Sequence, residues 1–339
     1  MQTNNTLHSA KKAKNDEFYT RLEDISAELK FYKDKFENQT VYCNCDNPEF
    51  SNFWKYFHLN FSELKLKKLI ATFYTTDNTS YKAVYCGGND NDITAYEKFD
   101  LTENGDFRSN ECLEILNECD IVVTNPPFSL FRDFVATLIK ADKKYLIIGN
   151  QNAIGYKEIF PLLRENKMWL GVNTNKSWAF RVPDGYKWNE KITNKINDGY
   201  HYGVVNSISW FTNIDHNKRH EKLVLWKKYT PEEYPKYDNF DAINVDRLTD
   251  IPCDYYGVMG VPITFMNVFN PEQFEIVSFR KGNDGKDLVF TDEKGQKVNC
   301  YSRILTKYTE KDIYIMNNPK DSVVNGKSKY VRIGVKKKI

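Results

Sequence analysis

A short β-branched run, Ile121-Val122-Val123-Thr124, passes straight into Asn125-Pro126-Pro127-Phe128. Two consecutive prolines give up two backbone donors and fix two φ angles, so neither a strand nor a helix continues through them. The chain is stopped and held there, with an amide side chain before the prolines and an aromatic ring after them. The next segment, "SLFRDFVATLIK", places Leu130, Phe131, Phe134, Val135 and Leu138 on one helical face, and Ser129 is the expected cap. The elbow therefore joins a buried strand to a helix, at the strand's carboxyl end.

An amine conjugated with a ring or a carbonyl is a poor nucleophile, because its lone pair is delocalised. The Asn125 side-chain oxygen and the Pro126 carbonyl, fixed in one extended conformation, can accept both amino hydrogens and favour a pyramidal nitrogen. Phe128, just beyond Pro127, can stack on a flat acceptor. These parts alone leave adenine, cytosine and glutamine amides open as acceptors.

Around the elbow the chain alternates strands and helices. Thr20 and Glu23 form a capping-box pattern for a helix over about 16–36, with Leu22, Ile25, Leu29 and Tyr32 at helical spacing. "TVYCNCD" reads as a strand ending at Asp46, followed by a helix carrying Phe50, Phe53, Trp54 and Phe57. "LIATFYTTD" and "YKAVYCGG" read as further strands, and "KKYLIIGN" as the one after the elbow helix. This order predicts an α/β fold, a doubly wound, parallel Rossmann-like sheet through at least residue 150. Beyond it, "MWLGVN", "KSWAFRVPDGYKW", "YGVVNSISWFTNI" and "EKLVLW" read as antiparallel or edge strands, with Trp210 and Phe211 read as core residues over the alternative that they approach the acceptor. The polar, tyrosine-rich stretch 229–247 suggests a boundary, giving a catalytic domain over 1–228 and a smaller β-rich unit over 229–339.

Composition narrows the function classes. Of 339 residues, 41% are hydrophobic, enough for a well-buried core. No apolar run approaches a membrane span or a secretory signal, so the expected compartment is cytoplasmic. Seven cysteines without a Cys-x-x-Cys pair, and five histidines, give no zinc pattern and no expected metal. Cys43 and Cys45 read as small buried strand residues. The net charge of +2 decides little, but lysines gather near the N-terminus, at Lys65, Lys67 and Lys68, and near the C-terminus.

The elbow after its apolar strand resembles motif IV of amino-methyltransferases that use S-adenosylmethionine. The wider chain is similar to the EcoRI-type DNA adenine-N6 methyltransferases, through "KNDEFYTRLEDI", "VYCNCDNPEFSNFWKYF", "KKLIATFY", "NGDFRSNEC", "VTNPPFSLFRDFV", "WFTNIDHNKRHEKLVL" and "GVMGVPITFMNVFNPEQFEI" in family order. The resemblance implies transfer of a methyl group from S-adenosylmethionine to the N6 of an everted adenine in double-stranded DNA. It implies Asn125, Pro126, Pro127 and Phe128 at the acceptor. Phe18, Tyr19 and Thr20 would lie by the methionine part of the cofactor, with Asp46 at the start of the cofactor loop. Asp77, or Thr75 or Thr76 in its place, would meet the ribose, and Asp106 and Phe107 the cofactor's adenine. It further implies a monomer in a restriction-modification or host-protection setting, with a cognate endonuclease acting separately. Ser51 and Phe53 stand where the family pattern has glycines. Two other readings are a glutamine-amide methyltransferase of proteins and a catalytically silent DNA-binding relative.

Overall fold

The structure is a computed structural model that describes residues 20–76, 80–174, 176–181, 193–197, 200–237, 241–279, 289–291, 297–299, 322–324, 327–329 and 332–339. Phe18, Tyr19 and Asp77 lie outside the described residues. Two compact units result: Met1–Gln151 with Leu170–His216, and Asn152–Trp169 with Asn217–Ile339.

The larger sheet is built on strands β1 (Thr40–Cys43), β2 (Lys68–Ala71), β3 (Tyr81–Tyr85), β4 (Glu97–Asp100), β5 (Ile121–Thr124) and β6 (Lys144–Asn150), then β7 (Trp169–Leu170), β8 (Lys176–Arg181), β9 (Thr193–Asn197) and β10 (Tyr200–Thr212). Their order is β4-β3-β2-β1-β5-β6-β10-β7, with β8 and β9 also paired to β10. The pairs β2–β1, β1–β5 and β5–β6 are parallel. As expected, β1 and β5 are buried along their whole length, because helices cover a parallel centre on both faces.

The parallel reading does not extend to β3, which runs antiparallel to β2, or to β4, antiparallel to β3. The nine residues between Ala71 and Tyr81 are too few for a crossover helix, so the chain turns back on itself. β10 closes the other side antiparallel to β6, and Trp210 and Phe211 are fully buried as expected.

Helix α1 (Leu22–Leu29) is shorter than its periodicity suggests. Its N-cap is Arg21, not Thr20, and no side chain caps it; Arg21 instead pairs with Asp24 at 2.9 Å. Ile25, Leu29 and Tyr32 are fully buried, so the apolar face was read correctly although Tyr32 lies past the helix end. Glu28 is buried beside them and accepts from the backbone N–H groups of Val172 and Asn173, each at 2.7 Å, and from Tyr32. Burial pushes its carboxyl up, against the lowering effect of those bonds. Helix α2 (Asn52–Leu59) buries Phe53, Trp54 and Phe57, but Phe50 lies before its Ser51 cap and is exposed, contrary to the amphipathic reading. Helix α3 (Asn110–Glu118) precedes β5, and α4 (Phe131–Lys140) follows the elbow, burying Phe131, Phe134, Val135 and Leu138. Ser129 does not cap α4: it sits exposed in a 3₁₀ turn, Phe128–Leu130, and the N-cap is Leu130.

The second unit contains α5 (Phe160–Arg164) and strands β11 (Ile243–Asn244), β12 (Met259–Pro262) and β13 (Phe274–Phe279). The hairpins β14 (Val289–Thr291) with β15 (Lys297–Asn299) and β16 (Ser322–Val324) with β17 (Lys327–Lys329) precede β18 (Arg332–Lys337). Its sheet runs β11-β12-β18-β13, which agrees with a small β-rich C-terminal unit. The stretch "EKLVLW" joins no sheet, contrary to its strand-like pattern. Among the described residues no helix is long and apolar enough to cross a membrane.

Candidate active site

Strand order reverses between β1 and β5: from β1 the chain steps to β2 on one side, and from β5 to β6 on the other. At such a switch point the loops leaving two neighbouring parallel strands diverge and open a crevice at their carboxyl ends. Asn44 and Cys45 follow β1, and Asn125 follows β5. These three line one pocket with Pro127 and Leu130 from the elbow, Tyr74 beyond β2, and Gly105, Asp106, Phe107 and Arg108. About 490 Å³ of non-atom space lies within it, part of it open solvent.

The elbow is held as its sequence requires. Thr124 and Pro126 are buried and Asn125 and Pro127 half-buried, with the Oδ1 atom of Asn125 inaccessible to solvent. Pro127 is extended at ψ 124°, and its carbonyl accepts from Leu130 N at 2.9 Å, which starts the turn into α4. Phe128 is half-buried and meets Phe180 edge-on, centroids 6.4 Å apart. Neither Pro126 nor Phe128 lines the pocket itself.

Asp46 is a brace behind the pocket. Its Oδ1 accepts from Ser51 Oγ at 2.6 Å and its Oδ2 from Thr124 Oγ1 at 2.5 Å, and its N–H donates to Thr72 O. Burial pushes its carboxyl up to about 6, with the two hydroxyl bonds opposing the shift. Ser51, at a position where the family pattern has glycine, also accepts from Phe53 N and Trp54 N and so caps α2. Thr20 is buried, its carbonyl bonded by Asn52 Nδ2 at 2.7 Å and its own Oγ1 without a hydrogen-bond partner among the described residues. It is not part of the pocket wall.

Asp106 and Phe107 stand on the pocket wall, on a turn that only glycine permits. Gly105 has φ +75°, and a Cβ there would lie 2.0 Å from Phe73 O. Phe107 is 4% exposed and packs edge-on against Phe134. Both Asp106 oxygens accept from Arg108, at 2.9 Å from Nε and 2.7 Å from Nη2. Burial alone would raise the Asp106 carboxyl, but the Arg108 bonds and charge outweigh it and hold it below the usual range. Thr75 N donates to Asn104 O at 3.0 Å, tying the segment after β2 to this turn.

Sequence reasoning missed Asn44, Tyr74 and Arg108. Asn44 is 2% exposed, lines the pocket, and has a buried Oδ1 without a hydrogen-bond partner among the described residues. Leaving a buried acceptor unmade costs about 1–3 kcal/mol, so the site supports a ligand that brings a donor. Its place directly after a buried strand was the available signal. Cys45, read as a strand residue, lies beyond β1 and is half-buried on the pocket wall. Among the described residues no group of three or more His, Cys, Asp or Glu side chains is placed to hold a metal ion.

S-adenosylmethionine fits this chemistry. A flat ring can lie against Phe107 and Leu130, an exocyclic amine can donate to Asp106, and Asn44 Oδ1 can accept from the polar end of the ligand.

The family described as "Adenine-specific methyltransferase EcoRI" matches residues 6–338. The Type II methyltransferase M.EcoRI of Escherichia coli is 48% identical over 301 residues, 84% of this chain and 92% of its own. M.MpnI of Mycoplasma pneumoniae, also a Type II methyltransferase, is 39% identical over 337 residues, 98% of each chain. M.MgeORF184P of Mycoplasma genitalium is 38% identical over 338 residues, again 98% of each. No solved structure matches the chain significantly.

Proposed function

Since the chain belongs to the adenine-specific EcoRI methyltransferase family, and is therefore a site-specific DNA adenine methyltransferase, we propose that the elbow Asn125-Pro126-Pro127-Phe128 is where its acceptor amine is held. The observation that carries this reading is the placement of Asn125 in the switch-point pocket together with Asp106, Phe107 and Asn44. Asn125 Oδ1 and the Pro126 carbonyl accept the two amino hydrogens of adenine N6 and localise its lone pair. Phe128 stacks on the base. Nothing in this set has to reorganise during the reaction, because the prolines fix the backbone and Asp46 fixes Thr124 next to Asn125.

S-adenosylmethionine, when bound, supplies an electrophilic methyl group on a sulfonium. Asp106, Phe107 and Asn44 would hold it, with Thr20 beside its methionine part; Phe18, Tyr19 and Asp77 complete the set proposed from the family pattern. Asp46 acts as a brace, since it is buried away from the pocket wall and its oxygens hold Ser51 and Thr124 in place. The target adenine reaches the elbow by rotating out of the duplex, at a few kcal/mol, and residues 229–339 contact the DNA and read its sequence. The setting is host protection alongside a separate endonuclease, and the enzyme works as a cytoplasmic monomer.

The absent glycine-rich turn, the ground for a catalytically silent relative, has a counterpart in the Ser51 cap and its bond to Asp46. Transfer of labelled methyl from S-adenosylmethionine to duplex DNA, compared with transfer to protein, tests the proposal. Label in glutamine amides and none in DNA would overturn it.

A further inference from the structure

Residues 222–228 form no helix and join no sheet, and their exposure alternates with the two-residue period of an extended chain: Lys222, Val224, Trp226 and Lys228 are exposed while Leu223, Leu225 and Lys227 are half-buried. Val224 is 88% and Trp226 68% exposed. The inner face is fixed at both ends. Leu223 N donates to Gln273 Oε1 and Leu223 O accepts from Gln273 Nε2, each at 2.8 Å. Lys227 O accepts from Cys253 N at 2.8 Å, and its ammonium pairs with Asp250 at 2.8 Å. The stretch holds three lysines and no acid, and Lys222 and Lys228 make no ion pair among the described residues. Tyr256, 53% exposed under the Lys337 ammonium at 4.2 Å, continues the surface beside Cys253.

We propose that this strap lies across a groove of duplex DNA, with Lys222 and Lys228 on phosphates of the two walls and Trp226 and Val224 against the base pairs between them. The proposal rests on the methyltransferase reading and names the surface that meets its substrate. Six extended residues span about 20 Å. With flexible lysine stems that reaches past both walls of the minor groove, about 6 Å wide. Two cations at the ends and two apolar groups between them match phosphates flanking stacked bases, and apolar side chains pressed into a groove kink and unstack base steps. A solvent-facing tryptophan held by anchors on its other side is otherwise a liability. An unpaired extended segment could instead add a strand from a second copy. Two copies meeting there would bring lysines together, which disfavours it.

The test uses the full chain and a labelled duplex carrying the site that the protein itself methylates. Trp226→Ala, Lys222→Gln and Lys228→Gln are compared with wild type for DNA affinity across a salt series, with calorimetry for S-adenosylmethionine and sedimentation as companion readouts. The strap predicts at least fivefold weaker DNA binding for Trp226→Ala, in line with the loss of one stacked aromatic. Each lysine variant should lower the salt slope by about 0.9, and cofactor affinity should stay within twofold. Wild-type affinity and slope in all three variants would overturn the strap while leaving the methyltransferase reading intact. So would a wild type that self-associates and becomes monomeric on Trp226→Ala with DNA affinity unchanged. A wild type that methylates no duplex would overturn both.

Discussion

Thr124 Oγ1 donates a 2.5 Å hydrogen bond to Oδ2 of Asp46, so the residue immediately before Asn125 is tied to the loop that leaves β1. Both side chains are buried, and Ser51 occupies the other carboxylate oxygen. The first and fifth strands are thus locked together at the ends from which the site is built. Thr124→Val keeps the shape and removes the donor, leaving a buried carboxylate short of one bond at a cost of about 1–3 kcal/mol. Because the elbow is displaced, kcat should fall at least tenfold while KM for the cofactor changes less, and Thr124→Ser should restore kcat. Urea unfolding and steady-state kinetics on the two variants check this.

The Asp46 carboxyl has a direct pH signature. Its folded value of about 6 lies above the ordinary value of about 3.9, so the folded protein holds this proton where the unfolded chain has released it. The stabilising contribution is complete below pH about 4 and is lost as pH rises through about 6. Two units correspond to about 3 kcal/mol as an upper figure. The stability of wild type relative to Asp46→Asn should therefore increase from pH 7 to pH 4.5. Urea midpoints at the two pH values measure the difference, and a gap moving in the opposite direction contradicts the assignment.

Gly105 is the hinge of the Asp106 turn. Gly105→Ala places a methyl group against Phe73 O at a positive φ and should cost at least about 1–2 kcal/mol. Since the strain falls on the residues that face the ligand, cofactor affinity should drop with it. Calorimetry and thermal unfolding together decide whether both effects appear.

Asn44 separates ligand binding from folding. Its Oδ1 is buried without a partner among the described residues, so Asn44→Ala should leave stability within about 1 kcal/mol of wild type. Affinity for S-adenosylmethionine should fall about tenfold, the loss of about 1.4 kcal/mol of binding. Unchanged affinity would remove Asn44 from the ligand site.

The central layers were legible in the sequence because the runs at Thr40–Cys43, Ile121–Thr124 and Lys144–Asn150 are dense in buried apolar residues, and because prolines leave the elbow one conformation. Strand direction at β3 was not, since an apolar run carries no sign of its orientation; only the short connection from β2 decides it. The Thr20–Glu23 spacing suggested a cap that Arg21 supersedes, and Leu223–Trp226 has a strand's alternation with no neighbour to pair with. Asp106 and Phe107 share a pocket with Asn125, and Arg108 belongs to their own turn, but Asn44 joins them from a loop distant in sequence. Glu28 shows the same limit: its partners Val172 and Asn173 lie about 145 residues away.

The most direct measurement is adenine methylation by Asn125→Ala, scored by long-read sequencing of DNA from cells expressing the variant, alongside calorimetry with S-adenosylmethionine on the purified protein. The elbow reading predicts that the modified-adenine signal disappears while cofactor affinity stays within about tenfold of wild type, because the amide acts on the acceptor. Modified adenines at the wild-type level in that variant would contradict it.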